Sequence, residues 1–125
     1  MQLHDPLLGT LTCDEGRLWH GEIRIDGRRI KFWISGTQAA PSPILHDKAR
    51  HELGDFKRHE AAAVGFLRAL LPPREQAVFT SSGIGFTWER FPDSFYMEFD
   101  LEGDSGAIWR VEFAGGIPKY SGRDD

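Results

Sequence analysis

Cysteine is almost missing from this chain. Cys13 is the only one in 125 residues, so no disulfide can form within the chain and burial and hydrogen bonding must hold the fold. No apolar run approaches the roughly 20 residues of a membrane-spanning helix. The start, MQLHDPLLG, has no basic segment followed by an apolar one, so no signal peptide is expected and a cytoplasmic location is the default. Internal repeats, heptad arrays and low-complexity segments are also missing. So are the short patterns of common catalytic sites. The glycines never form a phosphate loop followed by Lys and Ser or Thr. Ser81-Ser82-Gly83 lacks the Gly-x-Ser-x-Gly setting of a nucleophile elbow and reads as turn chemistry. Cys13 has no CxxC partner and sits at an apolar strand position, as a packed thiol would.

What is present fits one domain spanning residues 1–125, with 40% apolar and 27% charged residues. A chain of this length hides roughly 65% of the surface that its unfolded form exposes, enough for a core without metal or disulfide staples. The net charge of −4 is unevenly spread. Met1 to Leu71 carries 10 Lys and Arg against 9 Asp and Glu, and Pro72 to Asp125 carries 5 against 10, so the second half is acidic. The one basic cluster, Arg28, Arg29 and Lys31, lies at a turn, where cations discourage edge pairing, and nucleic-acid binding is not expected.

The strongest local pattern runs from Leu18 to Ser35. Apolar and polar residues alternate on both sides of Asp26-Gly27, which reads as a hairpin with a two-residue turn. That turn sets Ile23 opposite Ile30, Gly21 opposite Phe32 and Trp19 opposite Ile34 on one face, with Glu22 facing Lys31 on the other. Upstream, Leu8 to Cys13 can add a short strand. After a loop at Gly36 to Ser42, Ser42 is a candidate N-cap and Pro43 suits the first helical position. Leu45, Ala49, Leu53, Phe56, Ala63, Leu67 and Leu70 recur at helical spacing up to the stop at Pro72-Pro73. Gly54 marks a bend or a break, since glycine costs about 1 kcal/mol against alanine inside a helix.

Three further strands follow. Ile84, Phe86 and Trp88 alternate with polar residues, Phe91-Pro92-Asp93-Ser94 reads as a turn, and Phe95 to Leu101 and Ala107 to Phe113 alternate in the same way. Pairing across the turns predicts Trp88 opposite Met97, Phe86 by Phe99, Met97 opposite Val111 and Glu98 opposite Arg110. The segment from Gly115 to Asp125 reads as a turn-rich polar tail. The expected fold class is therefore α+β: an antiparallel sheet, made of an N-terminal hairpin plus a C-terminal three-stranded meander, with one long or bent helix packed on one face. Its expected core comprises Ile23, Ile30, Phe32, Phe56, Leu67, Phe86, Met97, Phe99, Trp109 and Val111.

Candidate chemistry is sparse. His51, Asp55 and His59 recur at a spacing of four, but HELGD carries Asp55 where an HExxH zinc motif needs histidine. With Glu52, Lys57, Arg58 and Glu60 interleaved, the segment reads as a solvated helix face, and no catalytic residue, metal or cofactor is expected. Asp14-Glu15 and Asp124-Asp125 lie in turns or at the terminus, where nothing holds paired carboxylates rigidly for acid and base work. The sheet face away from the helix should carry His20, Glu22, Trp33, Tyr96, Glu98, Ile108, Arg110 and Glu112. Trp, Tyr and Arg are the residue types that anchor interfaces, so these eight are the candidate partner-binding residues.

The opening Asp5-Pro6-Leu7-Leu8-Gly9-Thr10-Leu11, then Trp19-His20-Gly21, and the ending Trp109-Arg110-Val111-Glu112-Phe113 through Gly116-Ile117-Pro118 to Gly122-Arg123-Asp124-Asp125, resemble a loose group of small bacterial domains of unknown function. Some members of such groups are encoded beside toxins and taken to be immunity proteins. The resemblance touches both ends of the chain and carries over no catalytic residue. It implies a standalone bacterial protein. The functional expectation is a non-enzymatic protein-binding domain, in its concrete form an immunity-type inhibitor of a basic partner, with self-association through the sheet face as another use of the same surface. The alternative is a small enzyme or small-ligand-binding domain whose site has no recognisable motif.

Overall fold

The computed structural model describes residues 1–70, 78–104 and 106–124. The central hairpin forms as the alternation predicts, from β3 (Leu18–Ile25) and β4 (Arg28–Ser35). Asp26 and Gly27 take φ values of 52° and 77°, the left-handed pair that the two-residue turn requires. The register is Ile23↔Ile30, Gly21↔Phe32, Trp19↔Ile34 and Glu22↔Lys31. Ahead of it lie β1 (Gln2–Asp5) and β2 (Gly9–Thr12), paired with each other, and β2 meets β3 at Thr12↔His20.

Two helices follow where one was expected, α1 (Pro43–Gly54) and α2 (Phe56–Leu70). Ser42 caps α1, its Oγ accepting from the Leu45 N–H at 3.5 Å, and Pro43 opens the helix. The break falls at Asp55, whose φ and ψ of −106° and 20° leave the helical range and whose N–H turns back to the Glu52 carbonyl at 3.1 Å. The expected stop at Pro72-Pro73 lies outside the described residues.

The chain then forms β5 (Phe79–Phe86), β6 (Ser94–Leu101), β7 (Ile108–Ala114) and β8 (Ile117–Asp124). Among the described residues, the eight strands join in one sheet in sequence order. The expected architecture is thereby corrected: the sheet is mixed, because β4 and β5 pair in parallel through Lys31↔Gly83, Phe32↔Ile84, Trp33↔Gly85 and Ile34↔Phe86. The helical connection is a crossover that returns the chain to the same end of the sheet before β5 begins, which joins the hairpin and the later strands into one sheet.

Two more expectations change. Residues 117–124 are an edge strand, because Gly115 and Gly116 take φ values of 61° and 79° and turn the chain back onto β7, with Ala114↔Ile117. The β5–β6 register is Ile84↔Met97, not Trp88↔Met97, and Ser81↔Phe99, not Phe86↔Phe99. The turn at Phe91 exists, with the Ser94 N–H on the Phe91 carbonyl at 2.9 Å, but a second turn ahead of it, with the Phe91 N–H on the Trp88 carbonyl at 3.0 Å, removes Trp88 from the strand. From Gly83 to Gly85 the displacement is four residues, an even number, so these side chains keep their face, and the bulge between Ser81 and Gly83 makes it five at Ser81, which pairs with the buried Phe99.

Both helices lie on one face of the sheet. Leu45, Ala49, Leu53, Phe56, Ala63 and Leu67 pack there against Trp19, Ile30, Phe32, Ile34, Ile84, Phe86, Phe95, Met97, Phe99, Val111 and Phe113. Ile23 and Trp109 are partly buried at its margin, and Leu70, counted with the apolar stripe, is exposed. The hairpin tip is tied to α2 by Arg28, whose guanidinium donates to both carboxylate oxygens of Glu60 at 2.9 and 2.8 Å, so one cation of the basic cluster is committed. No helix among the described residues is long and apolar enough to cross a membrane.

Candidate functional site

Alternation in four strands brings the eight sequence-predicted residues onto the face opposite the helices. His20 and Glu22 come from β3, Trp33 from β4, Tyr96 and Glu98 from β6, and Ile108, Arg110 and Glu112 from β7. The register makes them neighbours through His20↔Trp33, Tyr96↔Glu112 and Glu98↔Arg110. Between Trp33 and Tyr96 runs β5, which presents Gly83 and Gly85 to this face. A Cβ at Gly83 would collide with the Trp33 indole, and one at Gly85 with the Tyr96 phenol ring, so the two glycines let the aromatic rings lie flat on the backbone. Trp33 and Tyr96 are consequently half-buried, whereas Ile108 is 40% exposed.

Tyr96 is further enclosed by Trp88, 5.5 Å away between ring centroids, and by the Arg110 guanidinium 4.6 Å over its ring. Burial, reinforced by the charge of Glu98, pushes the Tyr96 hydroxyl above the ordinary phenol value, against the opposing pull of Arg110 and a hydrogen bond with Thr87. Arg110 donates to Glu98 at 3.3 Å and approaches Asp124 at 3.9 Å. Two shallow concavities share Glu22, Lys31 and Trp33 as a common wall. One, about 610 Å³, runs over Thr10, Thr12 and His20, and the other, about 520 Å³, over Ser81, Ser82, Glu98 and Ile108. The charge on the face is divided. Arg24, Arg29 and Lys31 outnumber Glu22 on β3 and β4, while Glu98, Asp100, Glu112 and Asp124 outnumber Arg110 on β6 to β8.

Sequence reasoning missed the glycine track of β5. Its signal was the Gly83-Ile84-Gly85 alternation inside a strand, where glycine marks close approach. Ser81 also differs from expectation. It is a buried strand residue beside a bulge between Ser81 and Gly83, and its Oγ has no hydrogen-bond partner.

The helix side holds two clusters of buried titratable groups. In the first, Asp5 is 2% exposed, and its Oδ1 accepts the backbone N–H groups of Leu7 and Leu8 at 2.8 and 2.9 Å. Its Oδ2 meets His46 Nε2 at 2.8 Å and the Arg50 Nε and terminal N–H groups at 2.8 and 2.6 Å. Burial would raise this carboxyl, but the hydrogen bonds from Arg50, Leu8, Leu7 and His46 outweigh it and hold the group well below the usual carboxylate range.

The second cluster corrects the solvated-face reading of the helix. His51 is exposed and Asp55 is partly exposed, but His59 is 1% and Glu52 3% exposed. His59 meets the rings of Phe95 and Phe113 edge-on at 5.0 and 5.4 Å. Its Nε2 lies 2.8 Å from Glu52 Oε2, an ion-pair contact between two buried groups. Burial pushes this imidazole below the ordinary histidine value, against the attraction of Glu52. The other Glu52 oxygen is 2.5 Å from His51 Nδ1.

No protein-family model, curated protein or solved structure matches this chain.

Proposed function

We propose that the protein is a non-enzymatic binding module whose working surface is the sheet face opposite the helices, and that its partner is a basic protein. The observation that carries this reading is the division of labour between the two faces. One is covered by α1 and α2, and among the described residues no helix lies over the other, which combines aromatic rings, aliphatic Ile108 and paired charges over several strands. Amphipathic patches of this composition supply interface anchors. The acidic half, from Glu98 to Asp124, supports a basic partner, since complementary charge accelerates docking. The concrete form that fits the resemblance at the two ends of the chain is an inhibitor of the immunity type, located in the bacterial cytoplasm.

The test needs substitutions that leave Trp33 and Tyr96 in place, because both rings cover backbone at Gly83 and Gly85. Ile108→Glu with Glu112→Lys alters outward side chains on β7. Immobilised parent protein should retain a partner from a lysate of the source cells, with an association rate that falls as salt rises, and the double variant should lose it while melting normally. A folded double variant that captures the same partner equally well would refute this surface.

A further inference from the structure

Charges on the open sheet face are arranged antisymmetrically about its middle strand. At one level the register runs Glu22, Lys31, Gly83, Glu98 and Arg110 across β3 to β7. Positions equally distant from Gly83 therefore carry opposite charges, Lys31 against Glu98 and Glu22 against Arg110. The next level runs His20, Trp33, Gly85, Tyr96 and Glu112, with an aromatic ring on each side of the glycine and an imidazole against a carboxylate at the flanks. One pleat in the other direction, Arg29 on β4 is matched by Asp100 on β6. The strand between them, β5, holds no charged residue.

Cross-strand pairing within the chain explains Glu22 beside Lys31 and Glu98 beside Arg110, but not the order in which the two pairs stand about β5. Reversing either pair would keep its own contact and destroy the antisymmetry. A two-fold rotation about an axis along β5, in the plane between two facing sheets, exchanges β4 with β6 and β3 with β7. It sets Lys31 against Glu98 and Glu22 against Arg110 of a second copy, each contact occurring twice, and turns the Trp33 indole toward the Tyr96 ring. Residues on such an axis meet their own copies, where a charge would repel itself, and β5 offers Gly83 and Gly85 there. The rotation preserves strand direction, as the aligned packing of two sheets roughly 10 Å apart requires. This is the self-complementarity that an isologous contact demands.

We propose that the open face binds a second copy of this chain in this two-fold arrangement. The inference deepens the docking reading above and rests on it in one respect: a basic partner must displace the second copy to reach the face. Five strands of seven or eight residues give roughly 600 Å² of face on each copy, near the lower limit for a stable interface, so the dimer exchanges readily and its Kd is micromolar.

Sedimentation velocity on the purified full chain, from micromolar to near-millimolar concentration, should show a reversible monomer–dimer equilibrium. Lys31→Glu and Glu98→Lys each place like charges at both symmetry-related contacts, so each variant should dimerise roughly tenfold or more weakly while keeping the parent circular dichroism spectrum. An equimolar mixture of the two should dimerise with near-parent affinity, since the new carboxylate meets the new ammonium at one contact and native Glu98 meets native Lys31 at the other. If either variant fails to fold, Arg29→Glu and Asp100→Lys, at exposed residues, take their place in the same design. A chain that stays monomeric throughout, a dimer that both folded variants leave unchanged, or a mixture no tighter than its components would each overturn the proposal. These measurements use the chain alone, so their failure leaves the docking of a basic protein standing, whereas failure of the lysate capture removes that docking and not the dimer.

Discussion

Two buried carboxylates on the helix side of the sheet have been treated differently by the fold. Asp5 is surrounded by donors: two backbone N–H groups, an imidazole and a guanidinium all point at it. Glu52 is equally removed from water, but its close neighbours are two imidazoles, His51 at 2.5 Å and His59 at 2.8 Å. The first arrangement fastens the β1–β2 turn to α1 and leaves nothing for a ligand to add. The second takes one imidazole from each side of the break at Asp55 and so ties α1 to α2. Burial alone does not identify a functional group; the test is whether its hydrogen-bonding capacity has been used.

The isosteric amide change provides the sharpest separation of the two. Asp5→Asn keeps the shape but removes the charge that Arg50 and His46 face, and breaking a buried pair of this kind should cost about 3 kcal/mol in urea unfolding. A loss below about 1 kcal/mol would mean that the network is dispensable. Acid should reproduce part of that effect. The Asp5 carboxyl is held below its unfolded value, so its contribution is present above about pH 4 and is lost progressively as the pH falls below that. The stability gap between parent and Asp5→Asn should therefore narrow on acidification, and a constant gap down to pH 2.5 would separate the substitution's cost from the charge.

Glu52→Gln should cost less, about 1 kcal/mol, since its close partners are two imidazoles, one of them exposed. If it proves as damaging as Asp5→Asn, the two clusters are alike and the distinction fails. The smallest effect is expected at Asp104, where hydrogen bonds from Arg123 and the Trp109 indole hold the carboxyl at about 2. Because this pair is near the surface, Asp104→Asn should move Tm little at neutral pH. Its pH-dependent share should disappear between about pH 4 and pH 2 and weaken in salt.

The legible parts of the fold were those in which a local rule acts alone. Asp26-Gly27 admits one tight turn, and that turn aligned every pair of β3 and β4. Pairings such as Met97↔Val111 and Glu98↔Arg110 followed from alternation across the short connection between β6 and β7. Alternation also assigned His20, Trp33, Tyr96 and Arg110 to a common face, since face membership within a regular strand depends only on parity. The β8 strand was missed although Gly115-Gly116 is a hairpin signal, because a strand exposed on both faces carries no apolar alternation.

What the sequence determined by itself was therefore local: the hairpin and its register, the Ser42-Pro43 helix start, the parity of each strand and the identity of most core residues. Tertiary structure decided three things. It set β5 beside β4 in parallel, a choice made by the path of two helices over the sheet and invisible in any window of the chain. It buried Glu52 and His59 within a segment whose charges resemble a solvated face, because Phe95 and Phe113, more than 30 residues away in sequence, provide the apolar wall. It also laid Trp33 and Tyr96 over the glycines of β5, a contact possible only once three strands from separate parts of the chain are neighbours. Each depends on packing between distant segments, and local propensity carries no information about which segments will meet.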